Sequence, residues 1–261
     1  MSDRTDRLER RLTGELRKAL SRAGWWRLAL AFWVMGTGDP SLAGTRRVHV
    51  VVALADNATQ GIAPVPAKIG NGDDAAQNLY WGASEGFRSV FGASRDWKLD
   101  RTDANPSTEV LERRTYHHIT SDCVLVAEAW RGRDIHGALG AYFAHLRDGP
   151  DDLVAFIGHN GLMDRALAPI PAARPTRTAD AIVLCCRSGE WFAPHLAALK
   201  ARPVLTTEQL MYPGSFLLRD ALAVWLRKGS RPEIRTAAAR SYAKNQGISL
   251  KAAMGVFSAL D

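Results

Sequence analysis

Two short apolar segments, each followed at once by polar and reactive side chains, constrain the fold of this chain more than any other feature. Residues 152–161 read D-L-V-A-F-I-G-H-N-G, and residues 180–189 read D-A-I-V-L-C-C-R-S-G. Apolar runs of this length, bounded by glycine, predict strands that are buried on both faces, as in parallel sheets. Sites in open α/β sheets form just outside the carboxyl ends of the strands, so the residues after these segments are candidates for function.

The side chains after the two segments have complementary chemistry. The first segment leads to His159, and the second leads to Cys185 and Cys186. Adjacent residues of an extended strand face opposite ways, so Cys185 is predicted to be a buried thiol while Cys186 faces the site. An imidazole beside a thiol can activate it as a nucleophile and then protonate a leaving amine. If the two strands are parallel neighbours, Cys186 and His159 form a candidate catalytic dyad.

This arrangement resembles the caspase-like cysteine peptidases, the class that includes caspases, metacaspases, legumains and gingipains. In that class one strand ends in His-Gly, and a later strand ends in Ala-Cys or a close variant. Here His159-Asn160-Gly161 and Leu184-Cys185-Cys186-Arg187 stand at those places, and roughly residues 48–227 fall within the resemblance. The resemblance implies an α/β domain with a doubly wound, mostly parallel sheet and helices on both faces. It also implies cleavage of a peptide or protein substrate through a thioester, without a cofactor.

Two further features of the sequence would support a thiol nucleophile. The backbone N–H groups of Gly161 and Cys186 follow strand ends, where they could stabilise an oxyanion, and Gly161 would let the backbone approach a substrate closely. A helix is predicted over Glu190–Lys200, directly after the thiol. The positive end of its dipole would favour a thiolate at Cys186 over the more distant Cys123.

Polar residues near the predicted sheet edge are candidates for substrate binding. The resemblance implies recognition of a charged or polar residue just before the cleaved bond. Asp56 and Glu208 would suit a basic group and Arg187 an acidic one, and the sequence does not choose between them. Asn57, beside Asp56, follows the first predicted strand. Both residues could instead form a turn or a helix N-cap.

Composition limits the classes of partner. The chain has 261 residues, 46% hydrophobic and 23% charged, which suits one large α/β domain. Its net charge is +7, but the first 27 residues hold eight Arg or Lys against four Asp or Glu and so supply +4 of it. A basic tail rather than a basic domain indicates that no nucleic acid is bound. The three cysteines form no disulfide framework and no Cys-x-x-Cys motif, so no metal is predicted.

Residues 1–45 form a separate N-terminal region in this interpretation, followed by a single domain over residues 46–261. Arg4–Arg22 is predicted to be a basic helix, and Trp25–Gly36 is an apolar segment too short to span a bilayer comfortably. This region could be a signal sequence cleaved after residues 41–43, or an amphipathic helix that packs on the domain or on a membrane surface. The pattern favours export to the periplasm over retention in the cytoplasm.

Strand and helix patterns alternate along residues 46–261, which predicts parallel βαβ units. A second resemblance, carried by residues 55–57, 60–66 and 78–82, is to a bacterial family of unassigned function and implies no activity. Four histidines are predicted to lie on the surface: His117, His118, His136 and His145. The remaining predicted strands are Val48–Leu54, Glu109–Ile119, Cys123–Arg131 and Arg202–Leu205, with a hairpin between the second and third. The remaining predicted helices are Asp74–Phe91, Asp134–Arg147, Gly214–Lys228, Arg231–Asn245 and Ser249–Leu260.

Two alternatives to a peptidase remain open from the sequence. The chain could be a catalytically silent caspase-like module that binds a partner at the same sheet edge. It could also be a different α/β enzyme that binds a small anionic ligand near Asn71-Gly72, although a lone glycine-rich loop is weak support.

Overall fold

A seven-stranded sheet forms the centre of the protein in the computed structural model, which describes residues 44–167, 170 and 178–260. The strand order is β2-β3-β4-β1-β5-β6-β7. The five strands from β4 to β7 are parallel, and the hairpins β2-β3 and β3-β4 are antiparallel. The strands are β1 (Arg46–Ala53), β2 (Trp97–Ala104), β3 (Val110–His118), β4 (Cys123–Trp130), β5 (Leu153–Ile157), β6 (Asp180–Leu184) and β7 (Arg202–Leu205). The predicted α/β class with a mostly parallel sheet is therefore confirmed.

Helices cover both faces of this sheet. They are α1 (Phe87–Gly92), α2 (Ile135–Asp148), α3 (Gly161–Asp164), α4 (Ser188–Trp191), α5 (Ala193–Ala198), α6 (Phe216–Leu226), α7 (Arg231–Gln246) and α8 (Leu250–Met254). One apolar core lies between the sheet and α1, α6, α7 and α8. The other lies between the opposite sheet face and α2, with side chains from α3 and α5.

The central strand β1 illustrates why the chain folds as a parallel sheet. It pairs in parallel with β4 on one side and β5 on the other. Val48, Val50 and Val52 pack into the first core, whereas Val51 and Ala53 pack into the second. Neighbouring strands therefore pair with both edges of β1, and other elements cover both of its faces. Because little of the strand contacts water, its sequence is a nearly continuous run of β-branched residues.

Local capping signals define the longest helix, α7. The Ser230 side chain accepts the N–H of Glu233, and the Glu233 carboxylate accepts the N–H of Ser230, so the two form a capping box. Pro232 occupies the first turn, where its missing N–H costs nothing. Gly247 ends the helix in the left-handed conformation. These signals explain why α7 lies within one residue of its predicted bounds.

The predicted helix over Asp74–Phe91 is wrong for most of its length. Residues 74–86 form successive turns, and only α1 is helical. The buried Asn78 side chain accepts the N–H of Ala55 at 3.0 Å and donates to the Ala55 carbonyl at 2.8 Å. This exchange anchors the segment to the end of β1. It also favours turns over the helix that the apolar spacing indicates.

Three other predictions need correction. Strand β2 was not predicted at all. The helix predicted over Glu190–Lys200 is divided into α4 and α5, and the last helix ends at Met254 instead of Leu260. Beyond it the chain turns back, so that Phe257 forms a bridge with Thr207 after β7. The predicted hairpin of β3 and β4, the strand β7 and the helices α2 and α6 are confirmed to within two residues.

Residues 45–261 form one compact unit. The predictions for the N-terminal helix, the apolar segment and the cleavage site fall in residues 1–43, outside the described residues. The same holds for most of the proline-containing linker between β5 and β6. No helix in the described part of the chain is both long enough and apolar enough to cross a bilayer.

Candidate functional site

The register of β5 and β6 brings the two predicted site segments together. The strands are parallel neighbours, and Ile157 pairs with Leu184. His159 and Cys186 each follow this pair by two residues. Adjacent strands lie about 4.8 Å apart, so the two residues leave neighbouring strands at the same level of the carboxyl edge. The predicted parallel pairing is confirmed.

Two residues of the β5 loop fix its course. Gly158 has φ of +153°, and a Cβ there would lie 2.8 Å from the Ala53 carbonyl oxygen, so only glycine fits without strain. Asn160 is fully buried, and its Nδ2 donates to the Cys186 carbonyl at 2.7 Å. Its Oδ1 accepts the N–H of Leu162 at 3.2 Å and caps α3. Asn160 therefore connects the loop after β5 to the loop after β6.

A carboxylate orients the imidazole of His159. The ring is 8% exposed, and its Nε2 lies 2.7 Å from Oδ2 of Asp164, the last residue of α3. Asp164 Oδ2 also accepts the N–H of Gly61 at 3.3 Å. A carboxylate at Nε2 favours the tautomer with the proton there, which leaves Nδ1 as the basic nitrogen. The sequence analysis did not identify Asp164 as a site residue, because its side chain reaches His159 only through the turn of α3.

Cys186 differs from the other two cysteines in its exposure. It is partly exposed, whereas Cys123 and Cys185 are buried. Burial raises the pKa of Cys123 to about 11. Burial, and then the nearby Cys186, raise the pKa of Cys185 well above its usual range. Cys186 is therefore the thiol that solvent and small reagents reach.

The surroundings of the Cys186 sulfur are formed by backbone and by an aromatic side chain. Sγ accepts the N–H of Met211 at 3.4 Å and lies 3.6 Å from the Met211 carbonyl. Burial, followed by the neighbouring Cys186 and Cys185, raises the pKa of Tyr80, so its phenol stays protonated. Sequence reasoning did not identify Tyr80 or Met211, because both come from segments far away in the chain.

The sulfur and the imidazole do not share a hydrogen bond in this conformation. The hydrogen bonds of Sγ go to Met211, and the ring of His159 bonds Asp164. Catalytic hydrogen bonds are often long before a substrate binds. Each group is therefore bonded to a different partner in this conformation.

A buried hydroxyl pair holds the chain on either side of the sulfur. Thr207 Oγ1 donates to the Cys185 carbonyl and accepts the N–H of Ser188 at 3.1 Å. Ser188 Oγ donates to the Val183 carbonyl at 2.8 Å and accepts the N–H of Thr207 at 2.9 Å. Arg187, between Cys186 and Ser188 in the chain, adopts the left-handed conformation with φ of +51°, which is uncommon for a non-glycine residue. These bonds fix the Cys186 loop against the end of β7.

The two features predicted to support a thiolate and its oxyanion, the Gly161 N–H and the helix dipole after Cys186, agree less well with the structure. The N–H of Gly161 donates to the His159 carbonyl at 3.1 Å, so it is occupied in this conformation. A Cβ on Gly161 would lie 3.1 Å from the Ile135 side chain, and close packing on α2 accounts for glycine at this position. Helix α4 is four residues long, so its dipole is much smaller than that of the predicted helix.

The four predicted substrate-binding residues lie on loops at this edge, and their roles remain predictions. Asp56 accepts the N–H of Ala58 and the hydroxyl of Thr59, as the turn interpretation expects. Both polar atoms of the Asn57 side chain bond the backbone of Val65. Asn57, Arg187 and Glu208 are exposed, and Arg187 pairs with Glu190, whereas Asp56 is partly buried.

Comparison with protein-family models, with curated proteins and with solved structures finds no match. The geometry of the site therefore carries the functional argument.

Proposed function

We propose that the protein is a thiol-dependent hydrolase of the caspase-like kind that cleaves peptide bonds. Cys186 is the nucleophile, and His159 is its base. The observation that carries the proposal is the parallel register of β5 and β6, which projects both residues from the same level of one sheet edge. The partial exposure of Cys186, beside two buried cysteines, supports its role further.

The proposed reaction uses groups of this chain alone. The Cys186 sulfur attacks the scissile carbonyl carbon while His159 Nδ1 takes the thiol proton, and His159 then gives that proton to the leaving amine. The resulting thioester is cleaved by water, which His159 deprotonates. Asp164 positions the ring by its 2.7 Å bond to Nε2.

The oxyanion needs donors that are fixed before the reaction. The backbone N–H of Cys186 has no hydrogen-bond partner within the described ranges, so it is free to serve. Gly161, the other donor predicted from sequence, would have to release the His159 carbonyl first.

Digestion of a peptide library tests this function. The parent chain should produce cleavage products, and Cys186→Ala and His159→Ala should each produce none above background. Cys123→Ala is the matched control, because it removes a thiol that is buried at the far end of β4. Equal cleavage by the parent and by Cys186→Ala would contradict the proposal.

A catalytically silent binding module is the second candidate. It is favoured by one observation: the sulfur bonds Met211 while the imidazole bonds Asp164, so the two groups are separately engaged. In that case the parent and Cys186→Ala would bind the same library peptides equally and release no products.

A further inference from the structure

A cluster of two histidines and an aspartate lies between β1 and the end of α2. His49 comes from β1, His145 from the last turn of α2, and Asp151 from the loop before β5. The two imidazole rings are stacked, with centroids 3.5 Å apart and planes inclined by 19°. His145 Nδ1 lies 2.9 Å from Asp151 Oδ2, and one possible ligand atom from each residue lies within 4.8 Å of the others.

Contacts within the protein leave one buried nitrogen of this cluster, His49 Nε2, without a hydrogen bond. His49 is 6% exposed, and its buried Nε2 makes no hydrogen bond. The carboxylate of Glu128 is 3.6 Å from Nε2, beyond hydrogen-bond distance. Buried polar nitrogens are nearly always paired in native proteins, and a bound ion is one explanation for an unpaired one that lies beside two other possible ligand atoms.

We propose that His49, His145 and Asp151 bind a divalent transition-metal ion of the zinc class. Two imidazoles and one carboxylate form a ligand set that zinc commonly takes, with a solvent molecule in the fourth position. His145 is partly exposed, which gives both the ion and that solvent molecule a route to the site.

The separations fit this coordination. Zinc bonds to nitrogen and oxygen of about 2.0 Å place tetrahedral ligands about 3.3 Å apart. The 2.9 Å between His145 Nδ1 and Asp151 Oδ2 is close to that value, and the wider separations within 4.8 Å close by small side-chain rotations.

An outer carboxylate completes the arrangement. Glu128 faces His49 and is held by Arg113 at 2.7 Å and by Trp130 Nε1 at 3.0 Å. Glu128 therefore places a carboxylate beside the His49 ring, 3.6 Å from Nε2.

This site is separate from the candidate active site. His49 pairs with Val154 of β5, which precedes His159 by five residues. At about 3.3 Å per strand residue, the two sites are about 16 Å apart along the sheet. The metal would connect the last turn of α2 to β1, so its expected effect is on stability rather than on peptide cleavage.

The test is metal titration of the full chain, purified without a polyhistidine tag and carrying Cys186→Ala so that no exposed thiol competes for the ion. Isothermal titration calorimetry with Zn²⁺ should give one equivalent bound per chain, and zinc should raise the melting temperature. Co²⁺ should give the strong visible bands of a tetrahedral site. His145→Ala and Asp151→Asn should each weaken binding at least about 100-fold, beyond the usual cost of an outer-sphere change.

His136→Ala is the matched control, because it removes another partly exposed histidine of α2 that lies outside the cluster. It should bind zinc as tightly as its background. Absence of stoichiometric binding would overturn the proposal and leave the cluster as a stacked, metal-free pair. Binding that is unchanged in both His145→Ala and Asp151→Asn, with circular dichroism showing folded protein, would also overturn it.

Discussion

Replacing Thr207 with valine tests whether the buried hydroxyl pair holds the Cys186 loop. Thr207 is fully buried, and its hydroxyl bonds both the Cys185 carbonyl and the N–H of Ser188. Valine has nearly the same volume and shape, so the packing is kept while one donor and one acceptor are lost. The Cys185 carbonyl and the Ser188 N–H then remain buried without these partners.

The expected loss in the free energy of unfolding follows from these two groups. A buried polar group left unpaired costs about 1–3 kcal/mol, so the two groups together should cost Thr207→Val roughly 2–6 kcal/mol. Thr207→Ser is the matched control. It keeps the hydroxyl and removes only a methyl group, at a cost of about 1 kcal/mol. Both variants stay folded if the parent unfolds at more than about 6 kcal/mol, which lies within the usual range of about 5–15 kcal/mol.

Urea denaturation, monitored by circular dichroism, measures the free energy of unfolding of both variants. The midpoint should fall more for Thr207→Val than for Thr207→Ser, with an unchanged dependence on urea concentration. If the two variants agree within about 0.5 kcal/mol, which is the range of neutral surface changes, the hydroxyl pair does not hold this loop.

Two further predictions concern stability. Gly158→Ala should lower the free energy of unfolding by about 1–3 kcal/mol, because alanine is strained at φ of +153° and its Cβ would contact the Ala53 carbonyl. The control is Gly140→Ala, at an open position within α2, which should raise the free energy of unfolding by about 0.5–1 kcal/mol. Urea denaturation measures both changes. Burial raises the pKa of Cys123 from its ordinary 9.0 to about 11, so the folded state binds this proton more tightly and loses stability as the pH rises through that interval. Between pH 8 and pH 10, Cys123→Ala should lose about 1 kcal/mol less than the parent, and parallel losses would contradict the assignment.

The strands that form the sheet centre could be predicted because their residues report burial directly. In β1, β5 and β6 the runs of β-branched residues reflect two covered faces, and the polar turn between β3 and β4 indicates a hairpin. Strand β2 could not be predicted in this way. Apart from Trp97 it lies mostly exposed at the sheet edge, so its sequence, W-K-L-D-R-T-D-A, has no apolar face.

The candidate site could be predicted only where it depends on strand ends. His159 and Cys186 follow recognisable strands, so their shared edge follows from parallel pairing. Tyr80 and Thr207 reach the site through tertiary packing of other segments, which no local pattern encodes, whereas Asp164 reaches His159 through the short turn of α3.

The histidine cluster was missed for the same reason. His145 was predicted to be exposed, but it is partly buried because α2 places it directly over the ring of His49 on β1.

Alkylation of the native protein with iodoacetamide, followed by mass mapping of the modified cysteine, tests the central claim most directly. The account predicts rapid, pH-dependent labelling of Cys186 alone, with a rate that falls in His159→Ala and is unchanged in the control His136→Ala. At pH 8 the thiolate fraction of Cys123 should be about 100-fold below that of an ordinary thiol, because its pKa is about two units higher. Equally slow labelling of all three cysteines, or a Cys186 rate that does not depend on His159, would contradict the account.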